Sequence, residues 1–333
     1  MNTKMEPIVQ SVKKLSLGTQ EEANIEFEQD EKEVMKKIRS EYAYVCLVMK
    51  GDAYIPGAIV VAHSIRETDT KNDIVCMVTP DVSPGGIKQL QFVFDYVLLV
   101  DYIEATTKHL RNKKIEGRYG AWKSVAYTKW NLLKLIQYKK VMFMDADLVV
   151  VENIDSLFEL QTPAGTFSLS QAKPFNKKGL YNPYKTVRHG HRVDKKEIKK
   201  GFKSFVCIGT SLVITPDEKH FDTYVKMVKS MEPFGFELCY NGPDEQSIVW
   251  FYNNVLDVPW THISQSYNMI PWKQKGWMPR GLNKPHVLHY VCEEKPWVLN
   301  RDAWEDLALW WKYADDVENC YMDLKGFTGM VKQ

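Results

Sequence analysis

The run KVMFMDADLVVVENIDSLF, residues 140–158, constrains this chain more than any other stretch. Apolar residues fill it on both sides of an Asp-Ala-Asp triplet at 145–147. A strand buried on both faces accepts Val, Phe and Met readily, but two ionised carboxylates inside it would carry a heavy desolvation penalty. Residues 141–144 are therefore read as a central strand of an α/β sheet. Asp145 and Asp147 then lie just past its carboxyl end, where such sheets place their ligands. In an extended backbone the two carboxylates share one side and Ala146 points away. A hard divalent cation would relieve their repulsion, while a pair of turn or helix-capping aspartates would look the same in sequence. Asp-x-Asp alone leaves both readings open.

The flanking segments supply the rest of the sheet. Strand-forming residues at 44–49 precede a Gly51-Asp52 turn and a helix over 55–68, with Pro56 in its first turn, where a missing N–H costs nothing. A second strand at 74–78, a helix over 83–92 and a third strand within DYVLLVDYIE complete a β-α-β-α-β order, the signature of a doubly wound α/β fold. A further helix, 125–135, leads into the Asp145 strand. The first strand is followed by Met49-Lys50-Gly51-Asp52 and not by G-x-G-x-x-G, so a Rossmann dinucleotide fingerprint is absent. Any bound phosphates must be held by something else, and a metal at Asp145 and Asp147 is the candidate.

Residues 172–204 are rich in Lys, Gly, Pro, Asn and His and read as a long surface excursion, either a lid or a disordered loop. If it closes over a bound anionic ligand, Lys177, Lys178 and Lys203 could face that ligand's negative charge. His189 and His191 form an isolated His-x-His there, a pattern that more often neither ligates metal nor binds substrate. A strand follows with Gly209 in it, then a helix over 217–230 with Asp217 near its start. Asp244, Glu245 and Gln246 stand at the mouth of another helix. They are either an acidic first turn or a polar cluster offered to a hydroxylated substrate, and residue chemistry alone favours the first. His289 ends a short apolar run, with Lys295 six residues behind it. Trp297, Trp304, Trp310 and Trp311 form part of an amphipathic stripe that closes the core.

Polar residues 1–40 are expected to be an appendage, flexible at the start and helical at the end, ahead of a catalytic domain at 41–297 and a helical extension at 298–333. A net charge of +2 gives no sign of nucleic-acid binding. Six cysteines without a C-x-x-C pair suit buried free thiols in a reducing compartment. With no apolar leader and no 18-residue apolar stretch, a soluble cytoplasmic protein without membrane insertion is expected.

Four ordered motifs, GDAYIPGAIVVAHS, FMDADLVVVENIDSLF, PDEQSI and HYVCEEKPW, give the chain a resemblance to the glycogenin-like retaining glycosyltransferases, family 8, over roughly residues 44–297. The fullest match is to the branch that includes insect-virus P13-like proteins, which implies a viral protein of the host cytoplasm or the virion. The resemblance implies a single GT-A-type Rossmann-like nucleotide-sugar domain with a central, mostly parallel sheet. It assigns Asp145, Asp147 and His289 to a divalent cation, Mn²⁺ with Mg²⁺ as substitute, that also holds the donor diphosphate. Lys295 matches the lysine on that diphosphate, and Tyr54 the aromatic that stacks on uracil. Leu47 and Ala146 fall among the nucleotide contacts, and Lys129 beside donor phosphate and sugar. Asp244, Glu245 and Gln246 fall near the reacting centre.

The implied donors are UDP-glucose or UDP-galactose, and the implied acceptor is a glycan, polyol or glycoprotein. A homodimer is compatible with this reading. Three departures stand out. Glu245 replaces an aspartate, so its role could pass to Asp244; Ile208-Gly209-Thr210 replaces Asn-Ser-Gly; and Ile270-Pro271-Trp272-Lys273 follows Tyr267-Asn268-Met269 where glycogenin has its own acceptor tyrosine. The reading is thus a metal-dependent retaining hexosyltransferase working by front-face attack. Its rivals are a non-catalytic nucleotide-sugar or glycan-binding protein on the same fold and a phosphoryl or nucleotidyl transferase, the last lacking a Walker motif.

Overall fold

The computed structural model describes residues 38–105, 117, 120–167, 188–193, 195, 198, 210–230, 243–271, 285–291, 294–303 and 307–330. The excursion at 172–204, expected as a lid or a loop, lies outside them for most of its length, as do Lys177, Lys178, Lys203, Gly209, Trp304 and residues 1–37. Residues 39–333 form one compact unit.

Tyr, Val, Cys and Leu carry β1 (Tyr42–Val48), and the wholly buried DIVCMV carries β2 (Asp73–Val78). β-Branched and aromatic residues fit a pleated surface covered on both faces, which is why these runs show no alternation. Between them α1 (Ile55–Arg66) opens with Pro56 and is buried at Ile55 and from Gly57 to Ile65. Such a helix must be packed on more than one side, and α5 (Ala308–Cys320) covers it. α2 (Pro84–Gln91) is capped by Ser83, whose side chain accepts from the Gly86 amide. β3 (Tyr96–Leu99) follows, and then β4 (Lys140–Phe143), the strand before the aspartates.

The main sheet has seven strands in the order β3-β2-β1-β4-β7-β6-β8, where β6 is Ala164–Gly165, β7 Leu212–Ile214 and β8 Thr261–His262. β1 pairs in parallel with β2 and β4, and β2 with β3. β7 lies antiparallel to both β4 and β6. This is the expected mostly parallel sheet flanked by helices, with β4 at its centre. A separate ribbon joins β5 (Leu148–Val150) to β9 (Val287–His289) in antiparallel register, placing Leu148 opposite His289. α3 (Glu218–Lys229) begins at Asp217, whose side chain accepts from the His220 amide. α4 (Pro243–Trp250) passes into a π turn over Phe251–Val255, and α6 (Phe327–Met330) follows α5.

The helix expected over 125–135 is a 3₁₀ segment, Ala126–Lys134. Tertiary ties account for the tighter winding. Thr128 Oγ1 accepts from the Ile103 amide, and Asn131 Nδ2 donates to the Asp101 and Thr128 carbonyls, so polar side chains here bond to a neighbouring loop and to a nearby backbone carbonyl. Trp297, Trp310 and Trp311 are buried in the core as expected. Cys46 and Cys76 are buried free thiols, whereas Cys320 is free and exposed. Among the described residues no helix is long and apolar enough to cross a membrane.

Candidate donor site

The ladder geometry brings distant residues to one spot. Asp145 leaves the carboxyl end of β4, and Asp147 precedes β5. The Tyr290 amide donates to the Asp147 carbonyl at 2.9 Å, which extends the β5–β9 pairing and sets His289 beside Asp147. One ligand atom from each of Asp145, Asp147 and His289 lies within 4.8 Å of the others. The Asp145 amide donates to Thr210 Oγ1 at 2.9 Å, tying the first carboxylate to the strand on its other side.

His289 Nδ1 meets Asn268 Oδ1 at 2.8 Å, while Nε2 lies 3.1 Å from Asp147 Oδ1. A histidine oriented through its other nitrogen is the usual arrangement of a metal ligand. Two carboxylates and one imidazole suit Mn²⁺ or Mg²⁺, with coordination positions left for phosphate oxygens or water. The residues present therefore fit such an ion.

Two lysines complete the charge balance. Lys295 Nζ donates to Asp147 Oδ2 at 2.6 Å and to the Tyr290 carbonyl at 3.3 Å. Lys129 forms a salt bridge with Asp244. Burial pushes the Asp145 carboxyl up, and the charge of Asp147 adds to this against the pull of Lys129. Burial acts the same way on Asp147 but is outweighed by His289 and Lys295, which hold its carboxyl well below the usual range. Burial would discharge Lys129, yet Asp244, Asp145 and Glu245 outweigh it and keep the ammonium firmly protonated. The two aspartates are thus unlike: one is braced by cations, the other is ready for one.

Tyr54 ends a 3₁₀ turn, Asp52–Tyr54, ahead of α1. Its ring stands edge-on to Trp122 and to Trp297, each at 5.5 Å, with Lys295 Nζ at 6.0 Å from the ring centre. Trp297 is held by its Nε1–H, which donates to the Ala53 carbonyl at 2.9 Å. Leu47 is half-buried near the end of β1, Glu245 is half-buried, and Asp244 and Gln246 are buried. Asp244 and Glu245 do stand in the first turn of α4, so the bland reading of their position holds, but Asp244 also reaches Lys129.

Several contributors were not singled out from sequence. Thr210 and Asn268 fell on stretches noted only for departing from a family pattern. Gly57 signals its role only in three dimensions: a Cβ there would lie 2.2 Å from the Ala146 carbonyl oxygen and 2.5 Å from the Trp297 ring. The first turn of α1 can therefore approach the Asp-Ala-Asp backbone only as glycine. His189 stacks on Tyr267 at 5.3 Å and accepts from the Ser264 amide; among the described residues neither His189 nor His191 joins a cluster of metal-ligating groups.

A mostly parallel sheet flanked by helices, with ligand-type residues at the carboxyl end of its central strand, matches a GT-A-type, Rossmann-like fold. Solved structures share it: the galactosyltransferase LgtC, described in complex with donor and acceptor sugar analogs, matches with a TM-score of 0.50 at 14% identity over 85% of this chain and 99% of its own. The bifunctional glycosyltransferase WbbM matches with a TM-score of 0.53 at 13% identity over 84% of this chain and 52% of its own. Identities this low speak for the fold alone.

Residues 45–199 match the model of glycosyl transferase family 8. Protein R707 of Acanthamoeba polyphaga mimivirus is 27% identical over 271 residues, 79% of this chain and 85% of that protein. Glycogenin of Neurospora crassa is 25% identical over 288 residues, 83% of this chain and 35% of the relative. Human glycogenin-1 is 38% identical over 121 residues, 36% of this chain and 33% of the relative. The chain thus spans about a third of the length of each of these two glycogenins.

Proposed function

We propose that this protein is a metal-dependent retaining hexosyltransferase that moves glucose or galactose from a uridine-diphosphate sugar to a hydroxyl of a glycan, polyol or glycoprotein. The observation that carries the reading is the convergence of Asp145, Asp147 and His289 at the end of the central strand, within 4.8 Å of one another. Those three residues would hold Mn²⁺ or Mg²⁺, which would supply Lewis-acid stabilisation of the departing diphosphate. The names of the relatives, glycogenin among them, and the sugar-analog complex of LgtC support the substrate class.

The chain's own side chains take the remaining roles. Tyr54, braced by Trp122 and Trp297, is assigned to uracil, with Leu47 and the Ala146 backbone beside the nucleoside. Lys295 rests on Asp147 and can swing its ammonium to the diphosphate, adding positive charge where negative charge develops. Lys129 is held at the donor end of α4 by Asp244, where it faces the sugar-phosphate side. Asp244 is thereby engaged by a cation, which makes it a poor enzymic nucleophile and favours front-face attack, the acceptor proton passing to a diphosphate oxygen. Glu245 and Gln246 are left to orient the sugar.

Priming on Tyr267 is not expected. Its ring lies between those of His189 at 5.3 Å and His286 at 4.5 Å, both near parallel to it. Within the family we place the chain with the insect-virus P13-like branch, a reading in keeping with the mimivirus relative, and in the host cytoplasm or virion.

The test needs no acceptor. Purified protein is incubated with Mn²⁺ and a panel of uridine-diphosphate sugars, and slow donor hydrolysis is followed. Mn²⁺-dependent release of uridine diphosphate from the glucose or galactose donor is expected. Mn²⁺-dependent donor binding with no hydrolysis, and no transfer to any offered acceptor, would make the protein a nucleotide-sugar-binding module instead.

A further inference from the structure

A second cluster of ligand-type side chains lies at the other end of α1. His63 and Glu67 are four residues apart at its C-terminus, and Asp316 and Cys320 are four apart at the C-terminus of α5, the helix packed against it. Spacing of four puts both members of each pair on one helix face. Ligand atoms of His63, Glu67 and Cys320 lie within 4.8 Å of one another, and the negative charge of Asp316 acts on both His63 and Cys320.

Two observations set this cluster apart from a chance meeting of surface groups. His63 is only 1% exposed, and neither of its ring nitrogens has a hydrogen-bond partner. Native structures seldom leave a buried imidazole so. Tyr321 and Tyr313 stand edge-on to it at 5.7 and 6.3 Å, steadying the ring without using its nitrogens, and the Tyr313 hydroxyl donates to the Val150 carbonyl. Secondly, the charges run against helix electrostatics. Glu67 sits at the end of α1, and Asp316 with Cys320 at the end of α5, where helix C-termini favour cations. Arg66 offsets them only in part, since its guanidinium is turned to the Val93 carbonyl at 2.7 Å and to Asp95 at 3.1 Å.

We propose that His63, Glu67 and Cys320, with Asp316 closing the set, bind a thiophilic divalent cation of the zinc class that clamps the ends of α1 and α5 together. Imidazole, thiolate and carboxylate in one site select zinc over Mn²⁺ or Mg²⁺. The present spacing of up to 4.8 Å is about 1 Å wider than the ligand edges of a tetrahedral ion with bonds of about 2.0–2.3 Å. Side-chain rotation of exposed Glu67 and Cys320 closes that gap. Cys320 binds as thiolate and releases its proton to solvent. His63 and Glu67 stand eight and twelve residues along from Ile55, about 12–18 Å from the donor end of the helix, so the two sites are separate.

Cobalt(II) is the probe, because a cobalt–thiolate bond gives a near-ultraviolet charge-transfer band that the oxygen- and nitrogen-liganded donor site cannot give. One such band per chain is expected on titrating the wild-type protein, removable by zinc. It should vanish in Cys320→Ser and weaken at least about tenfold in affinity in Glu67→Gln, substitutions at exposed positions that leave the far-ultraviolet circular dichroism unchanged. Zinc should raise the thermal midpoint of the wild type and not that of Cys320→Ser. Absence of the band, or its persistence in Cys320→Ser, overturns the proposal and leaves His63 a packed neutral imidazole.

Discussion

The half of the main sheet made by β3-β2-β1-β4, parallel throughout, and the half made by β7-β6-β8, in which only β7 runs against the rest, are built from different materials. Strands of the first run from four to seven residues, and β2 is buried throughout. Those of the second run two or three residues, with Thr166, Ser211, Thr261 and His262 buried among them. Long apolar ladders hold the first half by burial and backbone pairing. The second depends on side chain to backbone bonds, such as Arg192 Nη1 to the Thr162 carbonyl at 3.2 Å and Thr261 Oγ1 to the Gln161 carbonyl at 2.6 Å. The proposed donor residues stand on the rim of the stiff half, where position is best held, and borrow their last supports from the polar half.

The largest effect should come from that rim. Asp147→Asn keeps the shape but removes the charge that His289 and Lys295 share. Mn²⁺-dependent affinity for uridine diphosphate should fall at least about 100-fold, roughly 3 kcal/mol, with the fold retained. Calorimetric titration measures this, and unchanged affinity would move the donor site off the parallel rim altogether.

The polar half has its own signature in pH. Burial, with His189 adding to it, lowers the His262 pKa to about 4 against a free value of 6.5. The unfolded chain therefore binds the extra proton between about pH 6.5 and 4, and the neutral imidazole's contribution is complete above that window and lost as pH falls through it. At about 1.4 kcal/mol per unit the loss approaches about 3 kcal/mol. Urea denaturation from pH 7 to 4 should show a shallower fall in stability for His262→Phe than for wild type. Equal slopes would mean that the polar half yields to acid through other groups.

Gly57→Ala tests how closely α1 is seated on the parallel rim. The added methyl carbon would meet the Ala146 carbonyl oxygen, backbone that cannot rotate away, at 2.2 Å. Overpacking of this kind costs about 1–3 kcal/mol. Chemical denaturation should report that loss, together with weaker Mn²⁺-dependent nucleotide binding. A variant as stable as wild type would show that α1 has room to recede.

The same contrast decides what could be read from sequence. β1, α1, β2, α2, β3 and the Asp145 strand were legible because their burial writes an unbroken apolar run or a capped helix into the chain, as Ser83 and Pro56 show. The 3₁₀ winding of Ala126–Lys134 was not, because Asn131 and Thr128 bond to residues some 25–30 positions away. Nor was the link between Lys129 and Asp244, which are 115 residues apart and meet only through α4 and that segment. Asp145, Asp147 and His289 were chosen as a group through family resemblance; residue chemistry alone left the aspartates ambiguous. The β5–β9 register, which no local pattern encodes, is what brings His289 to them.

The smallest expected effect lies on the seam between the halves. Thr210 is fully buried, immediately ahead of β7, and its Oγ1 accepts from the Asp145 amide at 2.9 Å. Ser211, next in the chain, adopts a positive φ of 51° and donates from its Oγ to the Tyr267 carbonyl at 2.7 Å. The polar half thus grips the rim carboxylate through one hydroxyl and the segment leading to Asn268 and His289 through the next. Thr210→Val keeps the bulk and leaves the Asp145 amide without an acceptor, a change worth about 1–2 kcal/mol where the donor is buried. Because the aspartate's backbone is then less well held, Mn²⁺-dependent nucleotide affinity should drop severalfold while Thr210→Ser restores it. If Val and Ser behave alike in titration, the hydroxyl contributes nothing to the site, and β4 holds Asp145 without help from the polar half.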